Sequence, residues 1–399
     1  MNILTLCTYP IKNPKHGGQL RVRNIVDTYC AEGHGVEVVG VLGSENYESE
    51  EGFLPFPGGA ELSSFIPNPF LMEDYAIGQL CATDDTFFRR LSGLIKVSPD
   101  IIHVEHPWLF AFALRCRDKY FPSAKLVYSS HNVEWMLKKE ILKSYQGENF
   151  AQAGSALIEA VELNAVRGAD AIVCVSEGDV NWTRAQTTAP IVLAPNGVKP
   201  WQLSEVGCKE AEAITTGFSY ALYCASAHPP NMTGFFNMFG GGFGSLKPDQ
   251  KLVVAGGAGF AIAGDVRVHR SPKLAEKVIV AGLVSQPCLE GLLEGAHCVV
   301  LPLTQGGGTN LKTAEALWSG KHVIATTVAM RGFERFIGAH GVFLADDPIT
   351  FKRTLRHAMG LPPLLLSPED VEARRSVLWE SCLKQLPGLL ASLVVEARI

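Results

Sequence analysis

The chain has 399 residues, of which 47% are hydrophobic and 19% charged, and its formal net charge is −5. This length predicts two or three domains, and the composition is typical of large buried sheets and not of a disordered protein. The acidic balance argues against a nucleic-acid-binding protein. No apolar run reaches the about 18 residues that a membrane-spanning helix needs.

Ten cysteines are scattered along the sequence, without a C-x-x-C pair or a cysteine–histidine cluster at zinc spacing. Thiols without metal spacing are typical of a reducing compartment. The first residues lead directly into a short apolar run, without the charged start and apolar core of a secretion signal. We therefore expect a cytoplasmic protein that binds no metal.

The first half of the chain starts with a strand–helix–strand pattern. Residues 2–8 and 36–42 are apolar runs, and a helix is predicted between them over residues 19–32. A helix that joins two such strands makes a parallel, right-handed unit. Gly17 and Gly18 stand before the helix without the spacing G-x-G-x-x-G, which disfavours a dinucleotide-dependent oxidoreductase. On the residues alone, these glycines indicate a loop that needs positive φ angles.

Polar side chains follow the next predicted strands. Residues 44–75 show no sustained periodicity and are predicted to be irregular, and one helix is predicted over residues 76–97. The apolar run 101–104 continues into Glu105 and His106. The apolar run at 125–130 is followed by three polar residues: His131, Asn132 and Glu134. Because the carboxyl ends of strands in a doubly wound sheet face the ligand crevice, we expect these side chains to contact a ligand. A helix entry with a proline in its first turn is the alternative for the first cluster.

The second half of the chain repeats the alternation of strands and helices. Strands are predicted at four apolar runs: residues 220–225, 251–256, 278–283 and 341–345. A Pro-Asn-Gly turn at residues 195–197 ends the first half. Asn231 is predicted to be the N-cap of a helix over residues 232–239, and the chain is predicted to be helical from residue 368 to its end.

The segment from Val299 to Thr327 carries the most specific pattern: VVLPLTQGGGTNLKTAEALWSGKHVIATT. It predicts a strand, a glycine turn, a helix from about Asn310 and a second strand. Glycines let a ligand approach the backbone, and the N-terminus of the next helix favours a phosphate. Lys312 opposes the helix dipole unless an anion compensates it, and Glu315 on the same face offers a carboxylate to ribose hydroxyls. The segment therefore indicates a nucleoside-diphosphate site; a glycine-rich connection with an exposed Lys–Glu pair is the alternative.

This segment resembles the donor-binding segment of GT-B glycosyltransferases of the retaining family 4 group, also called group 1 glycosyl transferases. The shared pattern is P-L-x-x-G-x-G-x-x-x-K-x-x-E-A-x-x-x-G-K-x-V, and it is matched by Pro302, Leu303, Gly306, Gly308, Lys312, Glu315, Ala316, Gly320, Lys321 and Val323. Many family members carry a second glutamate eight residues before the position of Glu315, where this chain has Gly307. The resemblance therefore implies ribose and phosphate contacts more directly than contacts to the donor's sugar ring.

The resemblance implies an α/β protein of the GT-B fold, with two Rossmann-like, doubly wound parallel-sheet domains that face each other across a cleft. Residues 1–198 are expected to form the acceptor-side domain and residues 199–375 the nucleotide-sugar-binding domain. Residues 376–399 are expected to form a C-terminal helix that returns to the first domain.

The resemblance also assigns candidate site residues. In the family, a histidine after a first-domain strand contacts the donor sugar, and alignment places Glu105 at that position and His106 one residue later. Both are therefore predicted to be catalytic, together with Lys312. Gly17 and Gly18 correspond to a flexible glycine loop beside the donor phosphate and the acceptor. The other predicted substrate-binding residues are His131, Asn132, Glu134, Asn231, Leu283, Gly306, Gly307, Gly308, Thr309, Asn310, Leu311 and Glu315.

The implied activity is transfer of a sugar from a UDP- or GDP-linked donor to a glycan, lipid-linked or other hydroxyl acceptor, with retention, in bacterial surface polysaccharide or glycoconjugate synthesis. No cofactor is expected, because helix-end amides and Lys312 would stabilise the diphosphate leaving group. No residue is a convincing nucleophile, which favours front-face attack by the acceptor. Three lysines fit either a solvated helix face or a contact with an anionic acceptor or a membrane surface: Lys138, Lys139 and Lys143.

Two alternatives stay open. One is a nucleotide-sugar epimerase of GT-B shape, which would need an acid/base set around the sugar. The other is a catalytically silent sugar-nucleotide-binding subunit, which Gly307 favours.

The family loop after the first strand of the second domain often carries an arginine and a lysine for the diphosphate, and residues 226–246 contain neither. Lys312 is thus the one clear phosphate cation in the sequence pattern.

Overall fold

The computed structural model describes residues 1–66, 68–240, 242–306 and 309–396. The chain divides into two compact units, one formed by Met1–Pro195 together with Cys382–Ile399, and the other by Asn196–Ser381. Each unit is built on a sheet whose described strands are all parallel. This confirms the predicted α/β architecture of two Rossmann-like, doubly wound units.

The described strands of the first unit form one parallel sheet. They are β1 (Asn2–Cys7), β2 (Gly35–Val41), β3 (Phe53–Leu54), β4 (Ile101–Glu105), β5 (Lys125–Ser129), β6 (Ala171–Cys174) and β7 (Ile191–Leu193). They lie in the order β3-β2-β1-β4-β5-β6-β7, with Leu4 of β1 between Glu37 of β2 and Ile102 of β4. Because the order reverses at β1, the loops after β1 and β4 meet at the topological switch point, where doubly wound sheets bind ligands.

Helices cover both faces of this sheet, which explains why its strands are apolar runs. They are α1 (Gly17–Ala31), α2 (Gly59–Leu62), α3 (Glu73–Thr83), α4 (Asp85–Ser92), α5 (Phe110–Tyr120), α6 (Glu134–Gln146), α7 (Glu148–Gly168) and α8 (Glu177–Arg184). Leu4 and Leu6 belong to the core that α3, α4, α5 and α7 share. Cys7 packs on the other side with Val22 of α1.

Three predictions for the first unit are corrected by the structure. Helix α1 begins at Gly17 and not at residue 19, and neither Gly17 nor Gly18 has a positive φ angle. The single helix predicted over residues 76–97 is two helices, because Asp84 ends α3 and its side chain accepts two backbone hydrogen bonds as the N-cap of α4. The segment predicted to be irregular contains β3 and α2.

The described strands of the second unit also form one parallel sheet. They are β8 (Ser219–Cys224), β9 (Gln250–Ala255), β10 (Val278–Gly282), β11 (Cys298–Leu301), β12 (His322–Ala325) and β13 (Val342–Leu344). Their order is β10-β9-β8-β11-β12-β13. The order reverses at β8, so the loops after β8 and β11 meet at the switch point of this unit.

The second unit carries eight described α-helices between Glu205 and Ala358. They are α9 (Glu205–Thr215), α10 (Pro229–Phe239), α11 (Gly257–Ala263), α12 (Val266–His269), α13 (Pro272–Lys277), α14 (Gln286–Gly295), α15 (Leu311–Trp318) and α16 (Pro348–Ala358). The prediction that Asn231 is the N-cap of α10 is wrong, because His228 has the extended N-cap backbone and Pro229 opens the helix. Proline suits that position because its fixed φ is helical and it has no N–H to leave unpaired.

The C-terminal region is helical, as predicted, but in three pieces: α17 (Pro368–Arg375), α18 (Trp379–Leu383) and α19 (Leu386–Glu396). The break after α17 is fixed by Val198, whose N–H and C=O bond the backbone of Val377 and Trp379 at 3.0 Å. Pro387 starts a new helix because proline is tolerated in a first turn and not in a helix interior. Among the described helices, none is both long enough and apolar enough to cross a membrane.

Candidate active site

The predicted strand–turn–helix–strand segment is present in the second unit as β11, α15 and β12. Asn310 is the N-cap of α15, and its Oδ1 accepts a hydrogen bond from the backbone N of Lys312 at 3.2 Å. Gly306, with φ 136°, has a backbone conformation that favours glycine. The predicted site residues Gly307 and Gly308 lie outside the described residues.

Thr309 has a structural role in this segment. Its Oγ1 accepts a hydrogen bond from the backbone N of Asn196 at 3.2 Å, and its C=O accepts one from Asn196 Nδ2 at 3.3 Å. Leu311, the first residue of α15, is partly buried. Thr309 thus holds the Pro-Asn-Gly turn beside the start of α15.

Lys312 and Glu315 lie close to the end of β8. Burial raises the pKa of Glu315 to about 7, against the lowering effect of Lys312. Burial likewise raises the pKa of Cys224, the last residue of β8, to about 12, and both Glu315 and Lys312 influence it. His228 in the next loop has a pKa lowered by partial desolvation and by the charge of Lys312. The first turn of α15 and the loop after β8 therefore share one electrostatic environment at the switch point.

Arg331 is a cation at this site that the sequence pattern did not reveal. Its Nη1 donates a hydrogen bond to the carbonyl oxygen of Gly306. Arg331 lies in the loop after β12, and Thr313 of α15 binds that loop through a hydrogen bond from Oγ1 to the C=O of Ala329 at 2.6 Å. Strands β11 and β12 are neighbours, so the loops that follow them adjoin. A local sequence motif could not predict this contact, because it joins residues 25 positions apart.

Two further predicted site residues, Asn231 and Leu283, differ in burial. Asn231 is buried, and its Nδ2 donates to the backbone oxygen and the hydroxyl of Ser226 at 3.0 and 3.2 Å, so it shapes the loop after β8. Leu283, which follows β10, is 80% exposed. It follows Gly282, against which the exposed ring of Phe260 packs so closely that a Cβ there would lie 2.4 Å from the ring.

His106 lies at the switch point of the first unit, directly after β4. Its φ angle of 62° is unusual for a residue other than glycine and marks local strain. Its Nδ1 lies 2.9 Å from Oε1 of Glu134, and 14% of its side chain is exposed. Its ring lies tilted against that of His131, with centroids 3.9 Å apart, and contacts Tyr9 edge to face. Glu134 therefore fixes the imidazole and leaves Nε2 available for a ligand.

Glu105, the alternative to His106, is completely buried behind it. Its Oε2 lies 2.6 Å from Nε2 of His131, and its Oε1 lies 3.4 Å from Nε2 of His103. His103 in turn contacts the hydroxyl of Tyr29 at 2.8 Å through Nδ1. Burial, reinforced by the nearby His106, holds the pKa of His131 well below its usual range, so His131 is neutral. Of the two candidates, His106 is the one whose side chain reaches the surface.

Glu134 is held as a carboxylate by its hydrogen bonds. Burial alone would raise its pKa, but hydrogen bonds from His106 and from Asn132 Nδ2, both at 2.9 Å, lower it to about 2. Beneath it, Glu162 accepts hydrogen bonds from the backbone N of Glu134 and of Trp135 at 2.9 and 3.1 Å. Burial, reinforced by Glu134, raises the pKa of Glu162 to about 8. His131, Asn132 and Glu134 thus join His106 in one cluster after β4 and β5.

Gly17 and Gly18 form the first turn of α1 beside this cluster. A Cβ on Gly18 would lie 3.0 Å from Oη of Tyr9, so the close packing of that ring accounts for the glycine. A cavity of about 80 Å³ adjoins this turn, and its lining includes His16, Tyr47 and Gln19.

The described histidine, cysteine, aspartate and glutamate side chains form no group of three or more that could hold a metal ion. Asp346 accepts hydrogen bonds from the backbone N and the hydroxyl of Thr327, both at 2.7 Å. Asp347 is the N-cap of α16. Both aspartates are therefore used to fix loops of the second unit.

Two family models match the sequence. The model described as Glycosyltransferase Family 4 matches residues 16–202, and the model described as Glycosyl transferases group 1 matches residues 243–360. The first match covers most of the first unit and the second covers the site around α15. No curated protein matches the sequence.

Several solved structures are similar over nearly the whole chain. Sucrose-phosphate synthase from Thermosynechococcus elongatus has a TM-score of 0.70 at 15% identity over 99% of both chains. HepE from Anabaena in complex with UDP has a TM-score of 0.62 at 14% identity over 98% of this chain and 100% of that one. The catalytic domain of starch synthase IV from Arabidopsis thaliana, bound to ADP and acarbose, has a TM-score of 0.60 at 13% identity over 99% of both chains. These similarities confirm the GT-B fold.

Proposed function

Because the chain belongs to the GT-B glycosyltransferases, we propose that it transfers a sugar from a nucleoside-diphosphate sugar to a hydroxyl acceptor with retention of the anomeric configuration. The observation that carries this proposal is Lys312 in the first turn of α15, a turn that contains no acidic residue. A cation at a helix N-terminus opposes the dipole. A bound diphosphate would reverse that cost, because it would interact favourably with both Lys312 and the N–H groups of the helix.

Arg331 supplies a second positive charge for the diphosphate in this proposal. Its guanidinium is held at Gly306 by a hydrogen bond to the carbonyl oxygen, and a guanidinium has further donors that match phosphate oxygens. The loop after β8, which carries no arginine or lysine, contributes His228 near Lys312 instead. We propose that Lys312 and Arg331 together neutralise the leaving group.

Glu315 binds the ribose of the donor in this proposal. It lies one helical turn after Lys312 and on the same face, so a nucleotide whose diphosphate contacts Lys312 would place its ribose within reach. A carboxylate accepts hydrogen bonds from two vicinal hydroxyls. Burial disfavours the charged form of Glu315 and raises its pKa to about 7. The ribose hydroxyls would donate hydrogen bonds to that charged form when the nucleotide binds.

The proposed reaction breaks the bond between the anomeric carbon and the diphosphate oxygen and forms a bond from the same carbon to the acceptor oxygen. The acceptor attacks the face that the diphosphate leaves, and its proton passes to the departing phosphate oxygen. Lys312, Arg331 and the amides of α15 stabilise the negative charge that develops there. Stabilisation of this kind is commonly the largest contribution to catalysis.

The first unit supplies sugar contacts in this proposal. Glu134, whose pKa is about 2, lies 2.9 Å from Nδ1 of His106 and orients its ring, which leaves Nε2 to hydrogen-bond a sugar hydroxyl. We propose that the acceptor is a hydroxyl of a glycan or lipid-linked glycan in surface polysaccharide synthesis in the cytoplasm, as the family resemblance implies. HepE binds UDP and starch synthase IV binds ADP in their solved structures, so the donor base is left to experiment among UDP, GDP and ADP.

A panel of nucleotide-sugars tests this function. Binding to the native state raises the melting temperature, so the cognate donor is expected to raise it and the matching nucleoside alone is not. With that donor and a glycan acceptor, mass spectrometry is expected to show a product heavier by one sugar residue, in the presence of EDTA as well. An epimerised donor would indicate the epimerase, and binding without any turnover would indicate a silent binding subunit. Loss of activity in EDTA that magnesium restores would contradict the metal-free mechanism.

A further inference from the structure

Tyr9 carries a buried hydroxyl without a hydrogen-bond partner. The residue follows β1, its ring packs with Cys7, Ile11 and Val22, and 7% of it is exposed. Among the described residues, no group accepts from or donates to its Oη. Burial raises the pKa of Tyr9 well above its ordinary value, so the hydroxyl keeps its proton. A buried donor that is left unpaired lowers stability, and such a group in a folded protein calls for a functional explanation.

The hydroxyl lies where the proposed sugar contacts are. The Tyr9 ring meets the edge of His106 with centroids 5.9 Å apart, and that of His16 with centroids 5.3 Å apart. A Cβ on Gly18 would lie 3.0 Å from the hydroxyl oxygen. Tyr9 and His106 follow β1 and β4, the two strands at which the sheet order reverses. The unpaired donor is therefore at the switch point and not in an ordinary part of the core.

His16 contacts the Tyr9 ring and also lines a small cavity. The His16 side chain is exposed, contacts the Tyr9 ring, and lies 3.1 Å from the hydroxyl of Tyr47 through Nε2. His16 and Tyr47 both line the cavity of about 80 Å³. Exposed side chains change rotamer within nanoseconds, so rotation of His16 would change what borders the Tyr9 ring on the side of the cavity.

We propose that the Tyr9 hydroxyl donates a hydrogen bond to a sugar hydroxyl that binds beside His106. The ligand chemistry suits the site, because aromatic rings surround the donor and sugars bind through polar groups set among such rings. This inference rests on the proposed function and adds a substrate-binding residue to it. The sugar hydroxyl belongs either to the transferred sugar or to the acceptor, and the two sources give different kinetic results.

The variant Tyr9→Phe removes this hydroxyl and keeps the ring. We expect its melting temperature to equal or exceed that of the wild type, because an unpaired donor is lost. Its affinity for the nucleoside diphosphate is expected to stay within about twofold, while sugar transfer falls at least tenfold. The stability control is Tyr29→Phe, which removes a buried hydroxyl that is bonded to His103 at 2.8 Å and is expected to lower the melting temperature.

The kinetics distinguish the two sources of the sugar hydroxyl. If the transferred sugar is bound, Tyr9→Phe slows hydrolysis of the donor without acceptor as well as transfer. If the acceptor is bound, hydrolysis is unchanged and the KM for the acceptor rises. An active wild type with an equally active Tyr9→Phe variant overturns this inference and leaves the proposed function intact. A wild type that neither binds nor turns over any nucleotide-sugar overturns both.

Discussion

At the scale of single residues, Glu315 shows how a residue proposed to bind the donor can reduce stability. Burial raises its pKa to about 7, from 4.5 for an ordinary glutamate. Between these values the folded protein holds more protons than the unfolded chain, so the free energy of unfolding falls as the pH rises from about 4.5 to about 7. Above pH 7 the carboxylate is charged although burial disfavours its charge, and a ligand with hydrogen-bond donors would stabilise it.

The variant Glu315→Gln is expected to separate stability from binding. At pH 8 its melting temperature should exceed that of the wild type by about 2–4 °C, the shift for a gain of about 1 kcal/mol in a unit of this size, and the difference should vanish below pH 4.5. Nucleoside-diphosphate affinity should fall at least tenfold, because hydrogen bonds to a charged group are worth about 1.5–3 kcal/mol. Thermal melts and calorimetric titration measure the two effects, with the exposed Glu276→Gln as the control. A less stable variant that binds normally would show that Glu315 has a structural role only.

At the scale of elements, helix α10 positions the loop that leads into the glycine turn. Gly234 of α10 lies against the backbone after β11, where a Cβ would be 2.2 Å from the carbonyl oxygen of Pro302 and 3.1 Å from Cα of Leu303. Pro302 and Leu303 begin the sequence pattern that resembles the donor-binding segment of the family. The contact therefore ties the position of α10 to that of the segment that ends at Gly306.

The variant Gly234→Ala is expected to lower the free energy of unfolding by about 1–3 kcal/mol, the usual cost of overpacking. Because Pro302 must shift, nucleoside-diphosphate affinity should fall as well. The control is Gly388→Ala in α19, where an added Cβ meets no atom within 4 Å. There alanine should stabilise the helix by about 0.5–1 kcal/mol. Denaturant unfolding measures both, and equal effects of the two substitutions would contradict the role assigned to Gly234.

The sequence predicted some elements and site residues of this fold and not others. The strands were predicted because both faces of a parallel sheet are buried, which makes its strands apolar runs. The segment with Lys312 and Glu315 was predicted because its residues are close in sequence. The break at Asp84 was missed because an aspartate is as compatible with an exposed helix face as with an N-cap. Arg331 and Tyr9 were missed because their contacts depend on which strands are neighbours, and the choice between Glu105 and His106 depends on which side chain the fold buries.

At the scale of the whole molecule, the two units carry different chemical groups. The second unit offers cations and a helix N-terminus, which suit a diphosphate. The first unit offers imidazoles held by carboxylates, together with a tyrosine hydroxyl, which suit sugar hydroxyls. We propose that nucleotide binding depends on the second unit alone, whereas transfer depends on both.

Calorimetric titration of nucleoside diphosphate, paired with transfer rates, tests this claim most directly on Lys312→Ala and His106→Asn. Asparagine is chosen because it tolerates the φ angle of 62° at that position, and Lys273→Ala controls for lost charge in the second unit. Lys312→Ala should weaken nucleotide binding about ten- to a hundredfold and slow transfer. His106→Asn should keep nucleotide affinity within about threefold while transfer falls far more. If His106→Asn loses nucleotide binding as severely as Lys312→Ala does, nucleotide binding does not depend on the second unit alone and the proposal is contradicted.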